Sequence, residues 1–410
     1  MIKTLVFGDL AHVRSFGANL TTYCLAEDLS ATRQKDEELI YEAMPHIGAS
    51  YSNGWKLVSN LNPAIAKNLR NIRMRYKPLD LGKIKYSNVH YKSPLTATLP
   101  NTLSEFANFE SYVERSDLLK SLLKKVSMAD RVIINGEGNI VNHIGSVDIP
   151  YRVGARLLLI VAYMCRELRK PFSLVNCTID PANENIDLVL SEILAYAHHV
   201  SVREPISYEY ATNILGLNNV LESADASLGY DFGCDKYSKG KVEEPFVILG
   251  DSSGLRGDAR EIYSSLDYLI KHFSSMGMKV KILDCSTPYS HVLGKLALKH
   301  SCVWLSDHYL NFKSLQREFR GAELIVSGRW HPSILASNVG VTPVTYGSDS
   351  CKTLGYSKKM NSLHIKGGVH DLCGNLDLVD EAMITTSRVK TLERSLSWSA
   401  LRTNNLIRPE

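Results

Sequence analysis

The segment GRWHPSILASNVGVTPVTYG, residues 328–347, decides the fold of this chain. The β-branched run Leu324–Val326 leads into it, and the loop around Pro332 opens a helix at about Ile334–Val339. A second strand follows at Val341–Thr345. A strand, a helix and another strand in this order are typical of a βα unit in a parallel sheet, so the segment predicts an α/β fold.

The same alternation extends from this segment towards both ends of the chain. In the first part we expect strands near residues 4–7, 131–135, 172–176, 200–202 and 220–222. In the second part we expect further strands near residues 246–249, 279–283 and 302–305, with helices between the strands and a last long helix near 377–396. The two groups of units predict two Rossmann-like domains.

Shifts in composition predict the domain boundaries. We expect an N-terminal domain at 1–230, a linker at 231–245, a C-terminal domain at 246–376, and a C-terminal helix and tail at 377–410. The alternation fails between about residues 34 and 114, which predicts a basic insertion in the first domain. Its lysines and arginines could contact nucleic acid, an anionic membrane surface or a glycan, although a solvated helix face, which the composition favours, would look the same.

Composition excludes several classes of protein. With 410 residues, 44% of them hydrophobic and 22% charged, the chain has the balance of a globular protein, and its net charge of +4 is too small for a dedicated nucleic-acid binder. The longest apolar run, Leu157–Cys165, is too short to cross a bilayer. The N-terminus MIKTLVFGDL lacks the features of a secretory signal, so we expect a cytoplasmic protein.

Motifs that signal a metal or a bound cofactor are missing from the sequence. The histidines lack the spacing of a zinc site, and the eight cysteines form no C-x-x-C pair. The sequence also has no Walker loop, no G-x-G-x-x-G and no G-x-S-x-G. We therefore expect reduced thiols, no metal and no cofactor.

Cationic side chains follow the strand at the start of residues 328–347. Ligands of parallel α/β sheets bind outside the carboxyl ends of the strands, where a helix N-terminus offers unpaired N–H groups. Arg329 supplies a planar fork for a carboxylate or phosphate, and His331 can donate a hydrogen bond or a proton. These residues predict an anion site; the alternative is that Arg329 pairs with a carboxylate in the interdomain face and His331 only caps the helix.

Two other expected strand ends carry charged residues. Arg203 could meet the ligand across the cleft, or it could form a salt bridge with Glu204 or another nearby acid. The loop NGEGN, residues 135–139, presents Glu137 as a candidate acid or base.

Two loops are weaker candidates. The turn GDSSGLRGD, residues 250–258, could hold a phosphate through Ser252 and Ser253, or it could be a turn without a ligand. In FGDLAHVRSFGANL, residues 7–20, polar side chains follow the first strand and could either contact a ligand or cap the next helix. They are Asp9, His12, Arg14 and Asn19.

Four segments taken together resemble the polysaccharide pyruvyl transferase family. They are ADRVIINGEGNIV at 129–141, HVSVREPIS at 199–207, ESADASL at 222–228, and GRWHPSILASNVGVTPVTYGSDSCKTLGY at 328–356. The resemblance extends over roughly Met1 to Met360. It implies two Rossmann-like domains facing across a cleft, as in GT-B glycosyltransferases, with phosphoenolpyruvate as the donor substrate. This chain departs from the family pattern by having Trp330 where Leu is common, and GEG where many members have GGG.

The resemblance implies a reaction, and it implies that Arg203, Arg329 and His331 bind the donor; the other roles below are expected from the positions of the residues at strand ends and in loops. A pyruvyl group would move to a sugar of a surface glycan or its lipid-linked precursor, forming a pyruvate ketal and releasing phosphate, as in exopolysaccharide or capsule synthesis. Glu137 and His331 are the expected catalytic residues. The expected donor-binding residues, in the C-terminal domain and across the cleft, are Arg203, Arg329, His331, Ser252, Ser253 and Lys352. The expected acceptor-binding residues are Asp9, His12, Arg14, Asn19 and Asn139.

Two other functions fit the same sequence. One is a GT-B glycosyltransferase that uses a CMP- or UDP-sugar, with His331, Ser252 and Ser253 holding the donor phosphates and Glu137 or Asp9 as the catalytic carboxylate. The other is a carbohydrate-binding or scaffold protein without catalytic activity. Expected partners are phosphoenolpyruvate, a glycan acceptor and the inner membrane surface, and no nucleic acid.

Overall fold

A computed structural model gives the fold of most of the chain. It describes residues 1–8, 16–43, 99–100, 102–140, 153–181, 184–230, 232, 244–252, 259–285, 290–306, 312–347, 350–385 and 387–410. Within these ranges the strands form two six-stranded sheets in which every pair of neighbours is parallel. The predicted α/β class is confirmed.

The first sheet has the strand order β2-β1-β3-β4-β5-β6. Its strands are β1 (Ile2–Gly8), β2 (Glu37–Ala43), β3 (Arg131–Ile140), β4 (Phe172–Ile179), β5 (His199–Val202) and β6 (Val220–Glu222). Its helices are α1 (Phe16–Ala31), α2 (Leu103–Ala107), α3 (Phe109–Glu114), α4 (Asp117–Met128), α5 (Val153–Glu167), α6 (Glu184–Leu194) and α7 (Pro205–Asn213). The strand order reverses direction between β1 and β3.

The second sheet has the strand order β12-β11-β10-β7-β8-β9. Its strands are β7 (Phe246–Ser252), β8 (Lys279–Asp284), β9 (Val303–Ser306), β10 (Leu324–Gly328), β11 (Thr342–Tyr346) and β12 (His364–Ile365). Its helices are α8 (Ala259–Ser275), α9 (Ser290–Lys299), α10 (Phe312–Phe319), α11 (Trp330–Ser337), α12 (Lys352–Met360), α13 (Val369–Cys373) and α14 (Leu376–Thr385). Here the order reverses between β7 and β10.

Local sequence explains why these elements form. All eight residues of β4 are buried, as expected for a central strand covered by helices on both faces. In α4, Ser116 caps the first turn by accepting a hydrogen bond from the Leu119 backbone N–H. The apolar side chains of α4 recur at helical spacing and are buried; they are Leu118, Leu119, Leu122 and Val126.

The C-terminal residues connect the two domains. After α14 the chain forms α15 (Arg388–Ser399) and a 3₁₀ helix (Ala400–Leu406) that returns to the first sheet. Buried Asn405 accepts hydrogen bonds from the Asn176 backbone N–H at 2.9 Å and from the Ser201 hydroxyl at 2.6 Å. Trp398 of α15 packs beside Trp330 and Tyr356 of the second domain. The two domains are therefore joined by packed side chains as well as by the chain between them.

The structure corrects two expectations about organisation. Residues 37–43 form β2, and residues 103–107 and 109–114 form α2 and α3, so both ends of the expected insertion belong to regular elements; residues 44–98 lie outside the described residues. The expected long helix at 377–396 is two helices, α14 and α15. The short helices α12 and α13 were not predicted. The linker at 231–245, of which residues 232, 244 and 245 are described, stays a prediction.

Two further expectations concern the thiols and the membrane. The cysteines in the described ranges are free thiols. In the same ranges, no helix combines the length and the apolar character that a membrane span requires.

Candidate active site

Arg203 directly follows β5 and is fully buried. Its Nη1 donates to Asp225 Oδ2 at 2.6 Å, and its Nε donates to Thr178 Oγ1 at 2.9 Å. Its guanidinium carbon lies 5.2 Å from the ring centre of Trp330. Its Nη2 is buried and has no hydrogen-bond partner among the described residues. This nitrogen can therefore donate to a ligand oxygen without breaking an observed bond.

Asp225 follows β6 and links the first domain to α11. It accepts hydrogen bonds from Trp330 Nε1 at 2.9 Å and from the Ser227 backbone N–H at 2.9 Å. Burial acts to raise the pKa of Asp225, but the charge of Arg203 and the interactions with His331 and Ser227 outweigh it and hold the pKa well below its usual range. Asp225 is therefore ionised at neutral pH and balances the charge of Arg203.

Glu137 lies near the carboxyl end of β3, beside the point where the first sheet reverses its strand order. Its Oε1 is 3.7 Å from Arg203 Nη1 and 3.7 Å from His331 Nε2. Its φ angle of 43° is in the left-handed region, which costs a non-glycine residue about 1–3 kcal/mol. The surrounding structure therefore imposes a strained backbone at the residue whose carboxylate reaches this cluster.

His331 is the second residue of α11, and its imidazole is buried between the two domains. Its Nε2 lies 2.8 Å from Thr21 Oγ1 and 3.6 Å from Asp225 Oδ2, with Glu137 Oε1 also close. These oxygen atoms favour the tautomer that carries a proton on Nε2. On the other side of the ring, Gly17 of α1 approaches Nδ1 closely. Residues of the first domain thus surround an imidazole that the second domain supplies.

Arg329 is the N-cap residue of α11 and pairs with a carboxylate of its own domain. Its Nε and Nη2 donate to the two oxygens of Asp251 at 3.3 and 3.1 Å. Asp251 is in β7 and is buried, whereas the Arg329 side chain keeps 22% of its surface exposed. Because β7 and β10 flank the reversal in the second sheet, this pair lies where ligands of such sheets bind.

The N-terminus of α12 contacts the first domain. The Cys351 backbone N–H donates to Asp180 Oδ1 at 2.8 Å, and the Cys351 thiol donates to Glu204 Oε1 at 3.6 Å. A Cβ atom on Gly355 would lie 2.2 Å from Glu204 Oε2, so a side chain at 355 would push the two elements apart. Lys352, the first residue of α12, is half-buried beside these contacts.

A match to a family model decides what kind of protein carries this cluster. The model described as polysaccharide pyruvyl transferase matches residues 16–350. The chain belongs to the polysaccharide pyruvyl transferase family. The resemblance inferred from the four sequence segments is confirmed. No curated protein matches this family member in sequence.

Solved structures with the same fold include several enzymes that bind UDP or UDP-sugars. The S. aureus MnaA–UDP structure has a TM-score of 0.57 at 11% sequence identity, and the alignment covers 99% of this chain and 98% of the MnaA chain. The structure of Anabaena Alr3699/HepE with UDP and glucose has a TM-score of 0.56 at 11% sequence identity, and the alignment covers 99% of this chain and 97% of the HepE chain. The structure of Arabidopsis thaliana UGT89C1 with UDP-L-rhamnose has a TM-score of 0.54 at 10% sequence identity, and the alignment covers 99% of this chain and 97% of the UGT89C1 chain. This likeness confirms the GT-B-like fold of the pyruvyl transferase family member.

The structure brings some of the predicted residues together and does not describe others. Arg203, Glu137 and His331 form one cluster, and Arg329 and Lys352 lie at the starts of α11 and α12. Arg203 pairs with Asp225 rather than with Glu204, and Arg329 pairs with Asp251, a carboxylate of its own domain. The remaining predicted residues, or their side chains, lie outside the described residues: Asp9, His12, Arg14, Asn19, Asn139, Ser252 and Ser253.

Sequence reasoning missed three residues of this cluster. Asp225 is within the segment ESADASL, and its position just after β6 is the signal that could have identified it. Thr21 and Gly17 are in α1, and their importance depends on the packing of that helix against α11. Nothing in the local sequence indicates that contact.

Proposed function

We propose that this protein transfers a pyruvyl group from phosphoenolpyruvate to two hydroxyls of a sugar in a surface glycan or its lipid-linked precursor. The products are a pyruvate ketal and inorganic phosphate. Two C–O bonds form at C2 of the donor while its C–O bond to phosphate breaks. Of the two hydroxyl protons, one ends on the donor's methylene carbon, which becomes a methyl group, and the other ends on phosphate. No cofactor enters this balance.

One observation carries the proposal within the family fold. Arg203 keeps a buried Nη2 without a hydrogen-bond partner among the described residues, next to His331 and Glu137. A buried N–H group without an acceptor costs free energy, and an oxygen of an anionic ligand would satisfy it. The carboxylate or the phosphate of phosphoenolpyruvate provides such an oxygen. Arg329 and Lys352, at the starts of neighbouring helices, are the further cations proposed to bind this donor.

Charge balance suggests how the acid is supplied. Arg203 and Asp225 neutralise each other, which leaves Glu137 and His331 as the residues of this cluster that can exchange a proton. One of these two residues holds the proton that the reaction delivers. That proton is then available for the methylene carbon, and the resulting base can accept the proton of the attacking hydroxyl. Glu137 and His331 are the proposed acid–base pair.

Ligand-dependent thermal stability tests the proposal. Phosphoenolpyruvate should raise the melting temperature, because a ligand at 100 times its Kd stabilises the folded state by about 2.7 kcal/mol. CMP- and UDP-sugars should have no such effect. Stabilisation by a nucleotide sugar without stabilisation by phosphoenolpyruvate would contradict the proposal and would favour the glycosyltransferase alternative.

A further inference from the structure

A pocket with a few polar side chains lies beside the proposed donor site, at the N-terminus of α12. Its volume is ≈ 350 Å³, which is at the small end of the range for ligand pockets. It is lined from the first domain by Asp180, which follows β4, and from the second domain by residues around the ends of β11 and β12. It is therefore in the cleft, outside the carboxyl ends of strands from both sheets.

Two hydroxyls of the pocket have no partner within the described part of the chain. Thr353 and Ser350 line the pocket, and both side-chain oxygens are buried without a hydrogen bond. Thr353 is fully buried and Ser350 is 8% exposed. Buried hydroxyls are normally hydrogen-bonded, because leaving one without a partner costs about 1–3 kcal/mol. A polar ligand in the pocket would supply the missing partners.

The charges around the pocket disfavour a small anion. Asp180 places a buried carboxylate in the wall, opposite in sign to the exposed Lys366. Cys351 and His364 are the other titratable groups of the lining. Burial and the nearby Glu204 raise the pKa of the Cys351 thiol, and burial and the charge of Lys366 lower the pKa of His364, so both are neutral at pH 7. The lining is thus close to neutral overall, and it combines hydroxyl groups with a carboxylate acceptor. These groups match a ligand that both donates and accepts hydrogen bonds without carrying a charge.

We infer that this pocket binds a neutral sugar residue of the acceptor glycan. The inference rests on the proposed pyruvyl transfer, whose acceptor is a sugar diol. Thr353 is adjacent in sequence to Lys352, and Cys351 contacts Glu204, the neighbour of Arg203. A sugar in the pocket is therefore next to the residues proposed to bind the donor, as transfer between them requires.

The substitution Thr353→Val tests the inference directly. Valine keeps the shape of threonine and removes only a hydroxyl that has no protein partner among the described residues. If Thr353 has only a structural role, the folded state should therefore be as stable as the wild type or more stable. Ser350→Ala is the second variant. Ser362→Ala is the matched control, because this buried hydroxyl also lacks a partner in the described residues but follows the other end of α12, away from the pocket.

Binding of the methyl glycosides of glucose, galactose, N-acetylglucosamine and N-acetylmannosamine would be measured by saturation-transfer NMR with the full-length protein. We expect at least one glycoside to bind the wild type. Thr353→Val and Ser350→Ala should each weaken the binding of that glycoside about three- to tenfold, because each variant loses one hydrogen bond to it. Ser362→Ala should bind it as the wild type does.

Binding of phosphoenolpyruvate to the same variants separates the two proposals. It should be unchanged in Thr353→Val and Ser350→Ala if the pocket holds a sugar. Failure of every glycoside to bind, or equal glycoside binding by all variants, would overturn the inference while leaving donor binding intact. A loss of phosphoenolpyruvate binding in Thr353→Val would also overturn it, because the pocket would then hold the anion.

Discussion

Gly17 of α1 and His331 of α11 are in such close contact that a methyl group on Gly17 would lie 2.0 Å from His331 Nδ1. The first helix of the N-terminal domain therefore fixes one side of the imidazole. The carboxylates of Asp225 and Glu137 lie on the Nε2 side. The position of His331 thus depends on glycine at residue 17.

Gly17→Ala is expected to displace the imidazole and to weaken phosphoenolpyruvate binding by at least about tenfold, with a loss of about 1–3 kcal/mol of stability from overpacking. Calorimetric titration and urea unfolding measure the two effects. Gly294→Ala in α9 is the matched control, because its nearest neighbour would be 3.6 Å away. Normal donor binding by Gly17→Ala would show that the position of His331 does not matter for the donor.

Glu137→Gln tests the proposed acid–base role. The amide keeps the shape of the side chain but cannot transfer a proton, so phosphate release from phosphoenolpyruvate with a glycan acceptor should fall about 10²- to 10⁴-fold. Phosphoenolpyruvate binding, measured by calorimetric titration, should persist. A variant rate close to that of the wild type would assign the acid to His331 alone.

Glu137→Gly separates the chemistry from the backbone strain. Glycine adopts a φ of 43° without strain, so this variant should gain up to about 1–3 kcal/mol in the free energy of unfolding while losing transfer. Urea unfolding measures the gain. A less stable Glu137→Gly protein would mean that the carboxylate itself holds the cluster together.

Arg329→Ala is expected to reduce both donor binding and stability, because it leaves the buried Asp251 without its cation. The double variant Arg329→Ala with Asp251→Asn should recover most of the stability and none of the donor binding. Urea unfolding measures the stability, and calorimetric titration measures the donor affinity, of the two single variants and the double variant, which together form a double-mutant cycle. Recovery of donor binding in the double variant would show that Arg329 has a purely structural role.

Asp225→Asn should destabilise the protein by about 3–5 kcal/mol at neutral pH, because it removes the carboxylate 2.6 Å from Arg203 Nη1 and leaves this buried guanidinium only the more distant Glu137, at 3.7 Å. The pKa of Asp225 is lowered in the folded state, so its stabilisation is complete above the unfolded pKa of about 3.9 and is lost as the pH falls towards the folded value. The difference in unfolding free energy between wild type and variant should be constant from pH 8 to 5 and decrease below pH 4. A difference that stays constant down to pH 3 would contradict this pairing.

Most strands and long helices could be predicted from the sequence, because their apolar periodicity is strong. β2 could not, since its sequence EELIYEA places charged residues in a strand. Its Glu37 is buried and pairs with Arg131 and with Arg408, which is far away in sequence. Partners so distant leave no local signal.

The candidate site was predictable to the extent that strand ends carry charged residues. Arg203, Glu137 and His331 were identified in this way, and the structure brings them together. The counter-charges were not identified, because Asp225 and Asp251 meet their arginines only through the fold. Local patterns therefore located Arg203, Glu137 and His331, whereas the carboxylates that pair with the arginines follow from the fold.

Calorimetric titration with phosphoenolpyruvate tests the central claim most directly. The proteins compared would be the wild type, Arg203→Lys and Lys352→Met, with Lys358→Met as a control on the exposed far end of α12. CMP- and UDP-sugars would be titrated in parallel. We expect saturable phosphoenolpyruvate binding by the wild type and the control, at least tenfold weaker binding by the other two, and no nucleotide-sugar binding. Nucleotide-sugar binding without phosphoenolpyruvate binding would contradict the account.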